Sequence, residues 1–159
     1  NWSETKSSSV GLDRMRGCME ALSAAGITVP PEWIARGEGD FAFAYQNSQQ
    51  WLQGPPDSRP TAIVAFSDVM AIGVLNAALN LGIHVGEELA ITGFDDSPPM
   101  QYMVPSLSSV QQPIWEVGRM AAEMLQEILI GKPPLESAVL LEPTLVVRES
   151  SAHPIRVAA

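Results

Sequence analysis

The apolar positions of this chain change their spacing several times, and each change marks an element. From Val10 to Ala25, Leu12, Met15, Met19 and Leu22 recur at helical spacing, while Asp13 and Glu20 fall elsewhere on the wheel. That pattern predicts an amphipathic helix, stopped by Gly26. Ile27 to Pro31 is a connector stiffened by two prolines, and Trp33 to Arg36 reads as a short strand entering a Gly37-Glu38-Gly39-Asp40 loop. Asp40 is placed to N-cap a helix from Phe41 to about Leu52. Ile63-Val64-Ala65-Phe66 shows no alternation, which predicts a strand buried on both faces. Asp68 is expected to cap a helix from Val69 to Leu81, ended by Gly82. Leu89 to Thr92 forms the next strand, and Ser97 to Pro105 is irregular or a short helical turn. Leu107 to Gln112 is a further short strand. Ile114 to Ile130 is the longest helical pattern, closed by Gly131 and two prolines, and the tail holds extended stretches at Val139–Leu141 and Leu145–Val147.

Alternating helices and strands predict an α/β fold with a mainly parallel sheet. Pro60 to Asp96 then forms one βαβ unit, with Ser67-Asp68 and Asp95-Asp96 at the carboxyl ends of its two strands. Open parallel sheets bind ligands at that edge. Few strong central strands are visible, however, and one helix has no evident cover. Val117, Ala121, Met124, Leu125 and Ile128 share a broad apolar face, extended by Ile114, Met120 and Leu129. Burying each large side chain is worth about 1.5–3 kcal/mol. A face of that size is expected to pack on this sheet, on a second lobe mostly outside the chain, or on another subunit.

Composition narrows the function classes. A formal charge of −9 argues against direct nucleic-acid binding, which needs a surplus of Lys and Arg. No run is long enough for a transmembrane helix, and the polar start lacks a signal-peptide core. The chain does not begin with Met, so a fragment or a processed chain is expected. A single cysteine, Cys18, excludes an intrachain disulfide and a cysteine-built zinc site, and suits a small core position. There is no nucleophile elbow, phosphate loop or metalloprotease helix. Asp95-Asp96 as a magnesium pair has no supporting Lys or Ser/Thr motif. No catalytic residue, metal or cofactor is expected.

A binding site fits the residues better. Asp95 offers two acceptor oxygens to paired hydroxyls or ring nitrogens. Ser67 and Asp68 sit at the neighbouring strand end, Arg14 can donate a fork of hydrogen bonds, and Phe41 offers an apolar face. Each has a plainer role available: Asp68 as a helix cap, Asp96 bonding amides in a turn, Phe41 in a core, Arg14 in a surface ion pair.

The ordered motifs carry a resemblance. Arg14-Met15-Arg16-Gly17 with Ala21-Leu22, Gly39-Asp40-Phe41 and Pro60-Thr61-Ala62-Ile63 are followed by Ser67-Asp68-x-Met70-Ala71-Ile72-Gly73. Gly93-Phe94-Asp95-Asp96, Pro105-x-Leu107-Ser108-Ser109-Val110-x-Gln112, Gly118, Ala121-Ala122 and Leu145-Val146-Val147-Arg148-x-Ser150 complete the set. In this order the chain resembles the effector-binding part of the lactose-repressor (LacI/GalR) family of transcription regulators. The resemblance implies a periplasmic-binding-protein-like (type I) lobe: residues 8–111 and 143–151 as the carboxyl-terminal lobe, 112–142 as a crossover helix and strand of a mostly absent amino-terminal lobe, and 1–7 and 152–159 as flexible ends. It implies a cytoplasmic dimer that senses a sugar, sugar phosphate or nucleoside-like effector and meets operator DNA only through a headpiece not present here. A periplasmic sugar-binding transport protein shares the fold and is the alternative.

By the same resemblance, Arg14 and Asp95 would hold the effector's polar edge, Phe41 would stack on its ring, and Ser67, Asp68 and Gln112 would complete the contacts, with Ile114 lining the cleft. Ser67 stands where the family often has Asn, and Cys18 where it often has an aromatic residue. A dimer surface is implied at Tyr45, Leu52, Leu75, Leu79, Met100, Tyr102 and Met103.

Overall fold

The sheet is built around the βαβ unit. In the computed structural model, residues 9–37, 39–132 and 138–152 are described. Strand β1 (Ala62–Val64) leads into a helix at Asp68–Asn80 and returns as β2 (Ala90–Asp95), parallel to β1 with Ile63 opposite Ile91. β3 (Ser108–Gln111) adds on parallel, with Phe94 opposite Val110. β4 (Thr144–Val146) closes the order β1-β2-β3-β4 as an antiparallel edge. The architecture is the expected α/β lobe with a mostly parallel sheet.

The helices are α1 (Ser9–Ala24), α2 (Phe41–Leu52), α3 (Asp68–Asn80) and α4 (Ile114–Leu129). α3 packs on one face of the sheet and α2 packs outside α3. Ile63, Leu89, Ile91 and Leu107 from the sheet side meet Ala71, Val74, Leu75 and Ala78 of α3, and Ala44 and Leu52 of α2 complete the core. Asp40 caps α2 as expected, its carboxylate accepting from the Phe43 amide at 2.8 Å. Burying large aliphatic side chains at about 1.5–3 kcal/mol each makes this cluster the main source of stability.

Several expectations change. Trp33–Arg36 is not a strand: Pro31 opens a 3-10 turn over Pro31–Trp33, and the Trp51 indole donates to the Glu32 carbonyl at 2.8 Å. Proline's fixed φ and missing donor suit the start of such a turn, not a ladder. β1 is covered on one face only, because Ile63 points to α3 while Val64 is 62% exposed. Ser67, not Asp68, is the N-cap of α3, accepting from the Met70 amide, and Asp68 is the first helical residue. Val139–Leu141 forms no strand, and Leu140 is almost fully exposed. Ser97–Pro105 resolves into a 3-10 turn at Pro98–Tyr102.

α4 contains no buried residue, and its apolar Ile114, Val117, Leu125, Ile128 and Leu129 all remain exposed. Of the three covers expected for it, this sheet is excluded. Glu38 of the glycine loop, the prolines after Lys132, His153 and the expected flexible ends, Ala152 apart, lie outside the described residues.

Gly73 lets α2 and α3 approach. A Cβ there would lie 2.6 Å from the Phe41 carbonyl oxygen and 3.0 Å from the Tyr45 amide nitrogen, both backbone atoms that cannot rotate away. Alanine gains about 1 kcal/mol of helix propensity over glycine. Overpacking costs about 1–3 kcal/mol, so the clash outweighs the gain. Gly73→Ala is expected to lower stability by about 1 kcal/mol in urea unfolding, and Gly73→Val by more.

Candidate functional site

Phe66 and Phe94 each stand one residue before the polar pair that ends their strand, so neighbouring parallel strands bring two rings to one edge. The Arg14 guanidinium from α1 lies 3.6 Å from the Phe94 ring centroid and 4.6 Å from that of Phe66. It donates to the Phe66 carbonyl at 2.8 Å and lies 3.6 Å from an Asp95 carboxylate oxygen. Planar Arg suits this stacked position as Lys would not. Burial lowers the Arg14 pKa, with Asp95 opposing the shift.

Gln112, just after β3, donates to the same Asp95 oxygen at 2.6 Å. Arg14, Asp95 and Gln112, far apart in sequence, therefore form one cluster at the carboxyl ends of the parallel strands. Asp95 keeps about a third of its side chain exposed. Its φ is 108° and that of Asp96 is 50°, both in the left-handed region. Such backbone costs about 1–3 kcal/mol per residue and persists only where the surroundings hold it.

Three other expected site residues take different roles. Asp68 is 1% exposed, with one carboxylate oxygen accepting from the Ser109 hydroxyl at 2.6 Å and the other from the Ser97 amide at 2.7 Å. It is thus an internal anchor, not a ligand hook: both oxygens are engaged and no water reaches it. Gly93 makes room, since a Cβ there would come within 2.4 Å of that carboxylate. The Ser67 hydroxyl serves the α3 cap. Phe41 is 40% exposed and stacks on Tyr45, with centroids 5.9 Å apart.

From the cluster, an apolar groove of ≈ 450 Å³ runs along α4, starting at Phe94 and Gln112 and passing Ile114, Val117, Met124 and Leu140. Polar hooks at one end and an apolar wall at the other is a common make-up for a small-ligand cleft. Among the described residues, no group of His, Cys, Asp and Glu could hold a metal, and no helix is long and apolar enough to cross a membrane.

Sequence reasoning missed Phe66, Phe94, Ser109, Gln111 and Arg148. The aromatic residue directly before each polar strand end was the available signal for the rings. Asp96, expected to bond amides in a turn, instead accepts through its carboxylate from Arg148 and Gln111, while its own amide donates to the Ser109 hydroxyl. The expected dimer surface also changes. Leu52, Leu75 and Met100 are 2–3% exposed inside this chain's core, so none can anchor a second subunit. Leu79 and Tyr102 are exposed, and Tyr45 and Met103 are half-buried.

The family model for the periplasmic binding protein-like domain matches residues 2–151. The chain belongs to this family. It is 37% identical over 138 residues to the HTH-type transcriptional repressor CytR of Escherichia coli K12, covering 87% of this chain and 40% of that protein. It is 38% identical over 142 residues to the ribose operon repressor of Haemophilus influenzae, covering 89% of this chain and 42% of that repressor. The crystal structure of a LacI-family regulatory protein from Chloroflexus aggregans superposes with a TM-score of 0.88 at 43% identity, over 96% of this chain and 54% of that one. Within the periplasmic binding protein-like family, the chain is therefore part of the effector-binding region of LacI-type regulators. It spans about 40% of the length of the curated relatives it matches.

The Asp68 anchor is directly testable. Asp68→Ala strands two buried donors, which together with the lost charged hydrogen bonds costs about 3 kcal/mol. Asp68→Asn keeps one acceptor and is expected to lose less. Urea unfolding of both variants at neutral pH checks the order; an Asp68→Ala protein as stable as wild type contradicts the anchor.

Proposed function

We propose that this lobe is one wall of a cleft that senses a small polyhydroxylated effector, a sugar or a sugar-bearing relative, in a LacI-type transcription regulator. The observation that carries the proposal is Arg14 braced between Phe66 and Phe94 and aimed, with Gln112, at the partly exposed carboxylate of Asp95. Donor and acceptor are already oriented, so an effector hydroxyl pair would meet a fork of donors and a carboxylate without reordering them. The similarity to a ribose operon repressor supports a sugar. The similarity to repressors and regulators supports gene regulation over the alternative of a periplasmic transport protein.

The rest of the proposal concerns what lies beyond this lobe. Residues 8–111 and 143–151 would form the carboxyl-terminal lobe, with 112–142 serving a second lobe that covers the apolar face of α4. Effector binding between the lobes would change their relative orientation. Operator contact would come from a headpiece on another part of the protein, in the cytoplasm. The exposed Leu79 and Tyr102, flanked by Tyr45 and Met103, would contribute to a homodimer surface.

In the protein as its gene encodes it, a thermal-shift panel of pentoses, hexoses, their phosphates and nucleosides is expected to find one class that raises the melting temperature. Arg14→Ala and Asp95→Ala should each weaken that ligand by about 30-fold or more, the scale of a charge-assisted hydrogen bond. Undiminished affinity in both variants would remove these residues from the site. For the dimer, Leu79→Glu with Tyr102→Glu is expected to shift sedimentation toward monomer, whereas an unchanged dimer would place the interface elsewhere.

A further inference from the structure

Asp95 and Asp96 are two consecutive non-glycine residues with left-handed backbone, at φ 108° and 50°. Their side chains have separate environments. Asp95 meets Arg14 and Gln112, whereas Asp96 turns inward and its side chain is only 6% exposed. One Asp96 oxygen accepts from Arg148 at 2.6 Å, and the other from Gln111 at 2.9 Å. Arg148 is itself braced, since the same nitrogen donates to the Leu107 carbonyl at 2.7 Å and the Arg148 amide donates to the Ser108 hydroxyl at 2.7 Å. Its side chain is 18% exposed.

A buried ion pair contributes little net stability relative to well-packed apolar groups, because desolvation offsets attraction. In some proteins its contribution is instead to specificity, fixing the backbone that carries it. Here that backbone is the turn bearing Asp95. The other holds on the turn, Ser109 on the Asp96 amide and Asp68 on the Ser97 amide, act on main-chain groups. Among the described residues, Arg148 and Gln111 are the partners that grip the Asp96 carboxylate. Arg148 comes from just beyond β4, so the grip also joins the chain returning from α4 to the rim of the site.

We propose that Arg148, through Asp96, is a positioning residue for the effector site: the buried pair holds Asp95 in its left-handed backbone with the carboxylate turned to Arg14 and Gln112 before any ligand arrives. This rests on the reading of Asp95 as an effector hook. The proposed role is indirect, because the Arg148 Nη1 is shared between Asp96 and the Leu107 carbonyl and the side chain is 18% exposed.

The experiment uses the gene-encoded protein with nitrogen-labelled Arg and Gln side chains and labelled Ile and Leu methyls. The Arg14 Nε–H signal is expected to be shifted by the ring currents of Phe94 and Phe66, and the Gln112 side-chain amide to report its bond to Asp95. In Arg148→Met both signals are expected to move, while the Ile63 and Leu75 methyl signals stay in place. Arg148→Lys, which keeps the charge, is expected to restore them in part. Unmoved Arg14 and Gln112 signals in folded Arg148→Met overturn the proposal, whatever the effector proves to be. If Arg148→Met loses its methyl dispersion, Asp96→Asn carries the same readout with the same two outcomes.

Affinity supplies a second arm, with D-ribose as the probe. Arg148→Met should weaken binding about 10-fold in the native background but less than about 2-fold in an Asp95→Asn background, the signature of action through Asp95. Equal losses in both backgrounds overturn the positioning role. Absence of D-ribose binding to the native protein counts against the sugar reading only, and the resonances then decide the role of Arg148.

Discussion

A carboxylate with no access to water must find its donors inside the protein, and the rest of this structure is arranged around one. Asp68 opens α3 beneath the sheet edge, and its two donors come from β3 and from the loop after β2. Leaving either donor unpaired would cost more than most single contacts contribute. The start of α3, the end of β2 and the middle of β3 are therefore drawn to one point. Gly93 allows it, since any larger residue would collide with the carboxylate. The turn that carries Asp95 is built on this anchor.

On the outer side of that turn the physics differs. Arg14 is held by two aromatic faces, a carbonyl and a nearby carboxylate, so it is oriented without being fully enclosed. Gln112 shares the carboxylate and stands at the head of the apolar groove along α4. Polar hooks and apolar wall thus meet at one residue, where the last parallel strand hands over to α4. The apolar face of that helix stays uncovered, as does Val64 on the outer face of β1.

Much of the architecture was legible because periodicity reports burial directly. The four helices, the βαβ unit and its polar strand ends follow from spacing, glycine stops and capping residues. The errors arise where one pattern serves two environments. Leu52 lies on an amphipathic helix and Leu75 on one that is apolar nearly all round, and only packing decides whether each meets the core or a second subunit; here α2 and α3 take both into their shared core. Asp68 and Ser67 are both good caps, and the choice fell to Ser67 because Asp68 was claimed by Ser109 and Ser97. Trp33–Arg36 and Val139–Leu141 have strand-like composition, but a strand also needs a neighbour, and none pairs with them among the described residues.

The candidate site divides along the same line. The residue types at the strand ends, Arg14 near the start of its helix and the family pattern are properties of the sequence by itself, because they depend on local propensity and order along the chain. Which of those residues meet is a property of the tertiary structure. It joined Arg14 to Asp95 across the whole of the βαβ unit and brought Gln112 to the same oxygen. It placed Arg148 behind Asp96 and withdrew Asp68 into the core. Hydrogen bonds between distant residues leave no periodic trace in a sequence, since they depend on how strands register and where a buried charge finds its donors.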